Sequence, residues 1–310
     1  MSSAYDAIVI GGGPGGLTAG MYLARAGRKT LLLEQALLGG QIAQTSHVEN
    51  YPGFPDGLSG RDLIDRMEQQ ARKFGLEIQF GRVEALRVGD DGAKEVVVSG
   101  FPFQARVVVV ATGLVQRLGI PGEEEHLGRG VSYCATCDGA LYRGRPVALV
   151  GASDWAMEEA HFLSRFAEPL YLVIPGAELK PTSDLRRELL AHPHVEVVPR
   201  AKPVEVLADE QGVTGLRVED RSSGRTLDLA VDGVFIFSGR KRPGTDFLQG
   251  VVDLDDQGYV VVGEDCETSV PGVYAVGDVR RRRFHQVATA VGDGAVAGMD
   301  ALRHLKGEPG

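Results

Sequence analysis

The sequence predicts an α/β fold of two doubly wound units, the second inserted into the first. Three observations carry that expectation. An apolar run, a glycine-rich turn and a helical stretch open the chain; the same order returns near residue 147; and 310 residues are too many for one average domain and suit two. Strands alternating with helices in this way bury a mostly parallel sheet between helical layers.

The elements follow in order. "YDAIVI" (5–10) is rich in β-formers, "GGGPGG" follows, and "LTAGMYLARAG" reads as helix. Gly11, Gly13 and Gly16 fit G-x-G-x-x-G, and the next strand, "KTLLLE", ends on Glu34. Strand, turn, helix and acidic residue in register form a dinucleotide fingerprint. Gly11 permits the tight turn, Gly13 lets backbone approach a pyrophosphate, and Gly16 lets helix pack on strand. The helix start offers unpaired N–H groups to phosphate, and Glu34 would accept ribose hydroxyls. A long aperiodic segment, "ALLGGQIAQTSHVENYPGFPDGLSG", comes next, and such segments are usually functional. A helix is expected over about 60–74, with strands around 77–80, 82–88, 95–99 and 104–110. "GRPVALVGASDWAMEEAHFLSRF" then repeats strand–turn–helix, and "PLYLVI" supplies the strand after it. Further strands lead to "GYVVVGEDCETSVPGVYAVGD" and a terminal helix in "HQVATAVGDGAVAGMDALRHL". The first unit is expected over 1–115 with 246–310, the inserted one over 116–245.

Hydrophobic residues make up 43% and charged residues 24%, the balance of an ordinary globular protein. With a net charge of −9, nothing in the overall balance argues for nucleic acid or an anionic membrane as partner. No apolar run approaches the ~20 residues of a membrane span. "MSSAYDAIVIGGG" enters a strand at once, without the basic-then-apolar order of a secretion signal. The chain is therefore expected in the cytoplasm.

Of three cysteines, Cys134 and Cys137 form "CATC" and Cys266 stands alone. An odd, small number argues against a disulfide framework. A zinc site would want a second such knuckle, and none exists, so no metal is expected. A redox pair is the better reading. Proximity in C-x-x-C lowers the pKa of one thiol, and Asp138 beside the pair can take a proton as a thiolate forms. Two small buried thiols, or a half-formed metal knuckle, are the alternatives. Cys266 reads as a packing residue.

Together these motifs resemble the low-molecular-weight thioredoxin reductases, two-domain FAD enzymes, almost from end to end. "GGGPGG" with Glu34 resembles the family's FAD turn, and "GGQI" (39–42) and "ENYPGFP" (49–55) its flavin-side loop. "ATG" (111–113), "GVSYCATCDG" (130–139) and "TSVPGVYAVGD" (268–278) follow in family order. The resemblance implies FAD contacts from Gly11, Gly13, Pro14, Gly16, Glu34, Gly40, Gln41, Asn50, Thr112, Gly113 and Gly277. Asp278 would bond the ribityl or phosphate region, and Gln286 and Val287 would aim a helix start at the flavin. It also implies that Cys137 is the sulfur nearest the flavin, that Cys134 attacks the partner's disulfide, and that Asp138 handles their protons. A homodimer and a thioredoxin-like protein substrate follow from the same resemblance.

The second turn departs from the family. Where the family has G-x-G-x-x-A, the chain reads Gly151-Ala152-Ser153-Asp154-Trp155-Ala156. Ser153 adds a Cβ where pyrophosphate should approach, Asp154 would repel it, and the Trp155 ring could fill the pocket. The family's arginine cluster for the NADPH 2′-phosphate is replaced by Ile174, Pro175 and Gly176, leaving Lys180 as the nearest match. An NAD-type acidic residue is missing as well. The alternative is an NADPH site served by Lys180, Arg186 or Arg187. "GRKR" (239–242) and "RRRR" (280–283) read either as solvated faces or as a dock for an acidic electron carrier such as ferredoxin or flavodoxin. His285 stands where the family has arginine, as a proton carrier or a packing residue. Three readings follow: a disulfide reductase that does not use NADPH normally, a conventional NADPH-dependent thioredoxin reductase, and a flavin-bearing redox sensor without turnover. Asp138 argues against the third, since an acid/base beside the thiols serves catalysis.

Overall fold

The computed structural model describes residues 4–45, 47–89, 92–180 and 182–307; the side chains of Gln44, Cys137 and Arg240 lie outside that description. Strand β1 (Ala4–Ile10) buries Ala7 to Ile10 without a break, as a strand covered on both faces must. Helix α1 (Pro14–Arg25) carries Pro14 in its first turn, where its missing N–H is no loss. Strand β2 (Thr30–Glu34) and helix α2 (Gly60–Lys73) follow, the latter capped by the Ser59 hydroxyl, which accepts the Asp62 N–H at 3.0 Å. Between them, in the aperiodic segment, Gly40–Gln44 forms a 3-10 turn. Strands β3 (Glu77–Phe80), β4 (Val83–Val88), β5 (Lys94–Val98) and β6 (Phe101–Val110) complete the first pass.

The chain leaves the first unit through β7 (Leu114–Arg117). The inserted unit runs β8 (Val131–Ser132), α3 (Ala135–Asp138), β9 (Val147–Val150), α4 (Asp154–Leu163), β10 (Leu170–Val173), α5 (Asp184–Ala191) and β11 (Val195–Val198). A meander of β12 (Ala201–Asp209), β13 (Gly212–Asp220) and β14 (Thr226–Ala230) precedes β15 (Gly233–Ile236). Strand β16 (Arg240–Pro243) pairs with β7 as the chain crosses back, and β17 (Val273–Ala275) and α6 (Val287–Lys306) end the fold. Two compact units result, residues 1–115 with 242–310 and residues 116–241.

In the first unit the sheet order is β3-β2-β1-β6-β5-β4, with β17 also paired to β6. Pairs among β1, β2, β3, β6 and β17 are parallel, and β4-β5-β6 is antiparallel. One face buries Leu17, Leu23 and Ala297 from α1 and α6, the other Leu248, Val252 and Val260. In the second unit the order β11-β10-β9-β15-β8 is parallel throughout, with helices on one face and an antiparallel meander on the other. Met157 and Leu163 of α4 and Leu189 of α5 fill one cluster on this sheet, while Val206, Leu216 and Leu229 of the meander fill the other.

Candidate active site

In the first unit the site is built around the β1–α1 turn. Gly11 has φ +106°, a conformation that favours glycine. A Cβ at Gly16 would lie 2.0 Å from the Gly11 carbonyl oxygen, so only glycine lets α1 close on the strand. A Cβ at Gly13 would meet nothing within 4 Å, and no side chain caps the helix there. The first-turn N–H groups of α1 are thus left for an anion, which is what a pyrophosphate requires. Glu34 closes the turn from below, its carboxylate accepting Gly12 N–H at 2.8 Å and Ala36 N–H at 2.9 Å. Burial pushes the Glu34 carboxyl up, and the backbone donors oppose that. The residues present fit a dinucleotide of FAD type.

The remaining first-unit positions gather by hydrogen bonding. Asn50 Nδ2 donates to Gln286 Oε1 at 3.0 Å, joining the aperiodic loop to the start of α6, whose first residue is Val287. Gln41 Nε2 donates to the Leu114 carbonyl at 3.0 Å, beside Gly40 in the 3-10 turn. Thr112 Oγ1 donates to the Gly244 carbonyl at 2.8 Å, and the Gly244 N–H returns a bond to Gly113. Gly277 donates its N–H to Asp293, and Asp278 lies 3.9 Å from His285, whose ring also faces Tyr259.

The arginines after Asp278 are largely neutralised within their own unit. Arg280 and Arg282 both pair with Asp293, and Arg281 with Asp255 and Asp256. Arg283 lies over the exposed Phe284 ring, 5.3 Å from its centroid. In "GRKR", Arg242 pairs with Asp246 at 3.7 Å. The acidic partners are up to 26 residues away in sequence, which is why the runs looked more basic than they are.

In the second unit Cys134 is disulfide-bonded and Cys266, in the first unit, is free. The Cys137 side chain falls outside the described residues. Ser132, 3% exposed, organises the turn: its hydroxyl lies 2.7 Å from the Asp138 carboxylate and accepts the Cys134 N–H at 3.1 Å. Asp138 is thereby tied to the Cys134 backbone. Tyr133 is anchored on the other side, donating to Glu123 at 2.7 Å with Arg117 over its ring at 4.1 Å. Glu123, 1% exposed, also accepts the N–H groups of Leu118, Gly119 and Ile120. Ser132, Glu123 and Tyr133 were not singled out by sequence. Of the three consecutive glutamates 123–125 only the packing tells which is buried.

The second glycine turn is closed by its own side chains. Ser153 caps α4, its hydroxyl accepting the Ala156 N–H at 3.1 Å. Asp154 pairs with Arg186 at 2.8 Å, and the same guanidinium donates to the Ala152 carbonyl at 3.1 Å. Trp155 packs edge-on against Phe237, ring centroids 4.7 Å apart, beside the core cluster under α4. A Cβ at Gly151 would lie 2.8 Å from the Phe237 carbonyl oxygen. Of the three substitute cations, Arg186 is spent on Asp154, Arg187 pairs with Asp184, and Lys180 is exposed. A cavity of about 570 Å³ remains in this unit, lined by Val150, Val173, Pro175 and Ser238 at the strand ends and by Lys202 and Arg221 of the meander side.

Fold and site define the class: a flavoprotein oxidoreductase. The family model for pyridine nucleotide-disulphide oxidoreductases matches residues 5–294. A thioredoxin reductase of Aquifex aeolicus is 41% identical over 305 residues, covering 98% of this chain and 94% of that protein. The solved thioredoxin reductase of Gloeobacter violaceus superposes with a TM-score of 0.70 at 39% identity, covering 99% of this chain and 96% of the other. A ferredoxin-flavin thioredoxin reductase of Clostridium acetobutylicum does so with 0.64 at 28% identity, covering 98% of each chain. The chain belongs to the low-molecular-weight thioredoxin reductase family.

Proposed function

We propose that the protein is an FAD-dependent disulfide oxidoreductase whose redox pair, Cys134–Cys137, delivers electrons to thioredoxin or a similar protein disulfide without normal use of NADPH. The observation that carries this reading is the contrast between the two glycine turns. Helix α1 begins on an uncapped glycine facing open space, whereas the start of α4 is occupied by Ser153 and bracketed by the Asp154–Arg186 ion pair. A phosphate reaching α4 would have to displace the Ser153 cap and approach the Asp154 carboxylate. At the end of β10 the positions of the family's 2′-phosphate cluster carry Ile174, which is buried, and Pro175 to Glu178, which are exposed.

A bound FAD supplies two-electron chemistry. Gly11, Gly13, Pro14 and Gly16 hold its pyrophosphate and Glu34 its ribose. Gly40, Gln41, Asn50, Thr112, Gly113, Gly277, Asp278, His285, Gln286 and Val287 supply the remaining contacts. At the redox turn, the reduced pair carries two electrons and two protons. The Cys134 thiolate attacks the partner's disulfide, releasing one partner thiolate and forming a mixed disulfide; Cys137 then attacks Cys134, re-forming the pair and releasing the second partner thiolate. Asp138, held by Ser132, accepts the proton that each attacking thiol loses and returns it to the leaving sulfur. The donor in this reading is an acidic one-electron protein of ferredoxin or flavodoxin type, and the similarity to the Clostridium acetobutylicum protein supports it. Internal pairing of the 280–282 arginines leaves Arg283 beside Phe284 as the part of that run open to such a carrier. We place the enzyme in the cytoplasm as a homodimer.

A second reading, a conventional NADPH-dependent thioredoxin reductase, draws support from relatives such as the Aquifex aeolicus enzyme and from the open cavity beside the second turn. Anaerobic absorbance titration of the oxidised flavoprotein separates the two. NADPH and NADH should leave the flavin absorbance unchanged while dithionite bleaches it fully. Bleaching by stoichiometric NADPH would establish the conventional reading instead.

A further inference from the structure

The redox turn is held from behind by a carboxylate that belongs to neither the CATC motif nor the flavin turn. Glu159, on α4, accepts the N–H of Ala135, the residue after Cys134, at 3.1 Å. Trp155, one helical turn earlier, keeps its buried indole N–H near the same carboxylate, short of a normal hydrogen bond. One side chain therefore stands between the remodelled second turn and the disulfide. Burial pushes the Glu159 carboxyl up, against the pull of the Ala135 N–H and the indole, and Glu158 on the same helix adds to the rise. Helix α3, packed on α4, presents Asp138, and that carboxylate is engaged with Ser132.

We propose that Glu159 is a positioning residue for the redox turn: by holding the Ala135 N–H, its carboxylate places a negative charge behind Cys134 and limits how readily that sulfur becomes a thiolate. Reduction of the disulfide frees the Cys134 sulfur, and a thiolate there would have to compete for the same backbone donor and meet a like charge across a half-buried turn. A less acidic thiol at Cys134 keeps the reduced pair protonated until a partner disulfide is at hand. The inference rests on the reading of Cys134 as the attacking sulfur. Its test uses chemical reduction, so the result stands whichever electron donor serves the enzyme.

Glu159→Gln retains an oxygen for the Ala135 N–H and removes the charge. The flavin-loaded full chain is reduced with dithiothreitol, desalted without oxygen and labelled with iodoacetamide across pH, with Cys134 followed by peptide mass spectrometry. The labelling midpoint of Cys134 should fall by about one pH unit in Glu159→Gln, and Glu159→Ala, which also removes the charge, should shift it in the same direction. A purely structural role predicts the parent midpoint in Glu159→Gln, and that result overturns the proposal even if Glu159→Ala does not fold.

Discussion

Cys266 shows at the scale of one residue how burial decides chemistry. It is 1% exposed, adopts φ +68°, and receives a hydrogen bond from Arg280 Nη1 at 2.9 Å. Burial pushes its thiol up to about 11, with Arg280 pulling the other way. The folded form therefore keeps a proton between pH 9 and 11 that the unfolded chain has lost. Its contribution to stability is complete below about pH 9 and disappears as pH rises towards 11. Two pKa units correspond to roughly 2–3 kcal/mol. Urea denaturation at pH 8 and pH 10.5 should show the parent losing on the order of 2 kcal/mol more than Cys266→Ala. Equal losses would mean that the Cys266 thiol does not titrate differently on folding. The sequence reading of Cys266 as a packing residue agrees with its place in the first core cluster.

Helix starts distinguish the two glycine turns at the scale of the element. Helices α2, α4 and α5 are capped by Ser59, Ser153 and Ser183, whereas α1 has no side-chain cap. A serine cap contributes about 1 kcal/mol, and glycine in its place costs only a few tenths. Thermal or urea unfolding should accordingly show Ser153→Ala destabilised by about 1 kcal/mol and Ser153→Gly scarcely changed. Neither substitution should allow NADPH to bleach the flavin, because Asp154, Arg186 and Trp155 still close the turn. Bleaching in Ser153→Gly would show that the cap alone blocks the nucleotide.

At the scale of the whole molecule the core is divided. Two hydrophobic clusters lie in residues 1–115 with 242–310 and two in residues 116–241, so each unit has apolar burial of its own. Cores separated in this way need not unfold together. Calorimetry should resolve two transitions, and removing FAD should lower only that of the unit containing the Gly11 turn, because a ligand stabilises what binds it. A single transition that shifts as a block on flavin removal would contradict this. No helix among the described residues is long and apolar enough to cross a membrane, and no cluster of three or more His, Cys, Asp or Glu side chains there could hold a metal.

Most of what local sequence controls is legible in the sequence. Glycines at fixed spacing, a strand before them and a carboxylate after them describe a turn whose sterics are set within about 25 residues, as the Gly11–Gly16 contact shows. The serine, aspartate and tryptophan of the second turn announced trouble for a phosphate on the same local grounds. The partners those residues found were not legible. Arg186, Asp293 and Glu159 act on groups 11 to 34 residues away, and nothing in their local sequence says which carboxylate or N–H they will meet. The order of motifs carried the resemblance to the family, and the spacing of glycines and cysteines marked the two turns, because backbone geometry is local. Only the tertiary structure decided which charges are spent internally and which carboxylate stands behind Cys134, because burial and pairing depend on chain segments brought together by folding.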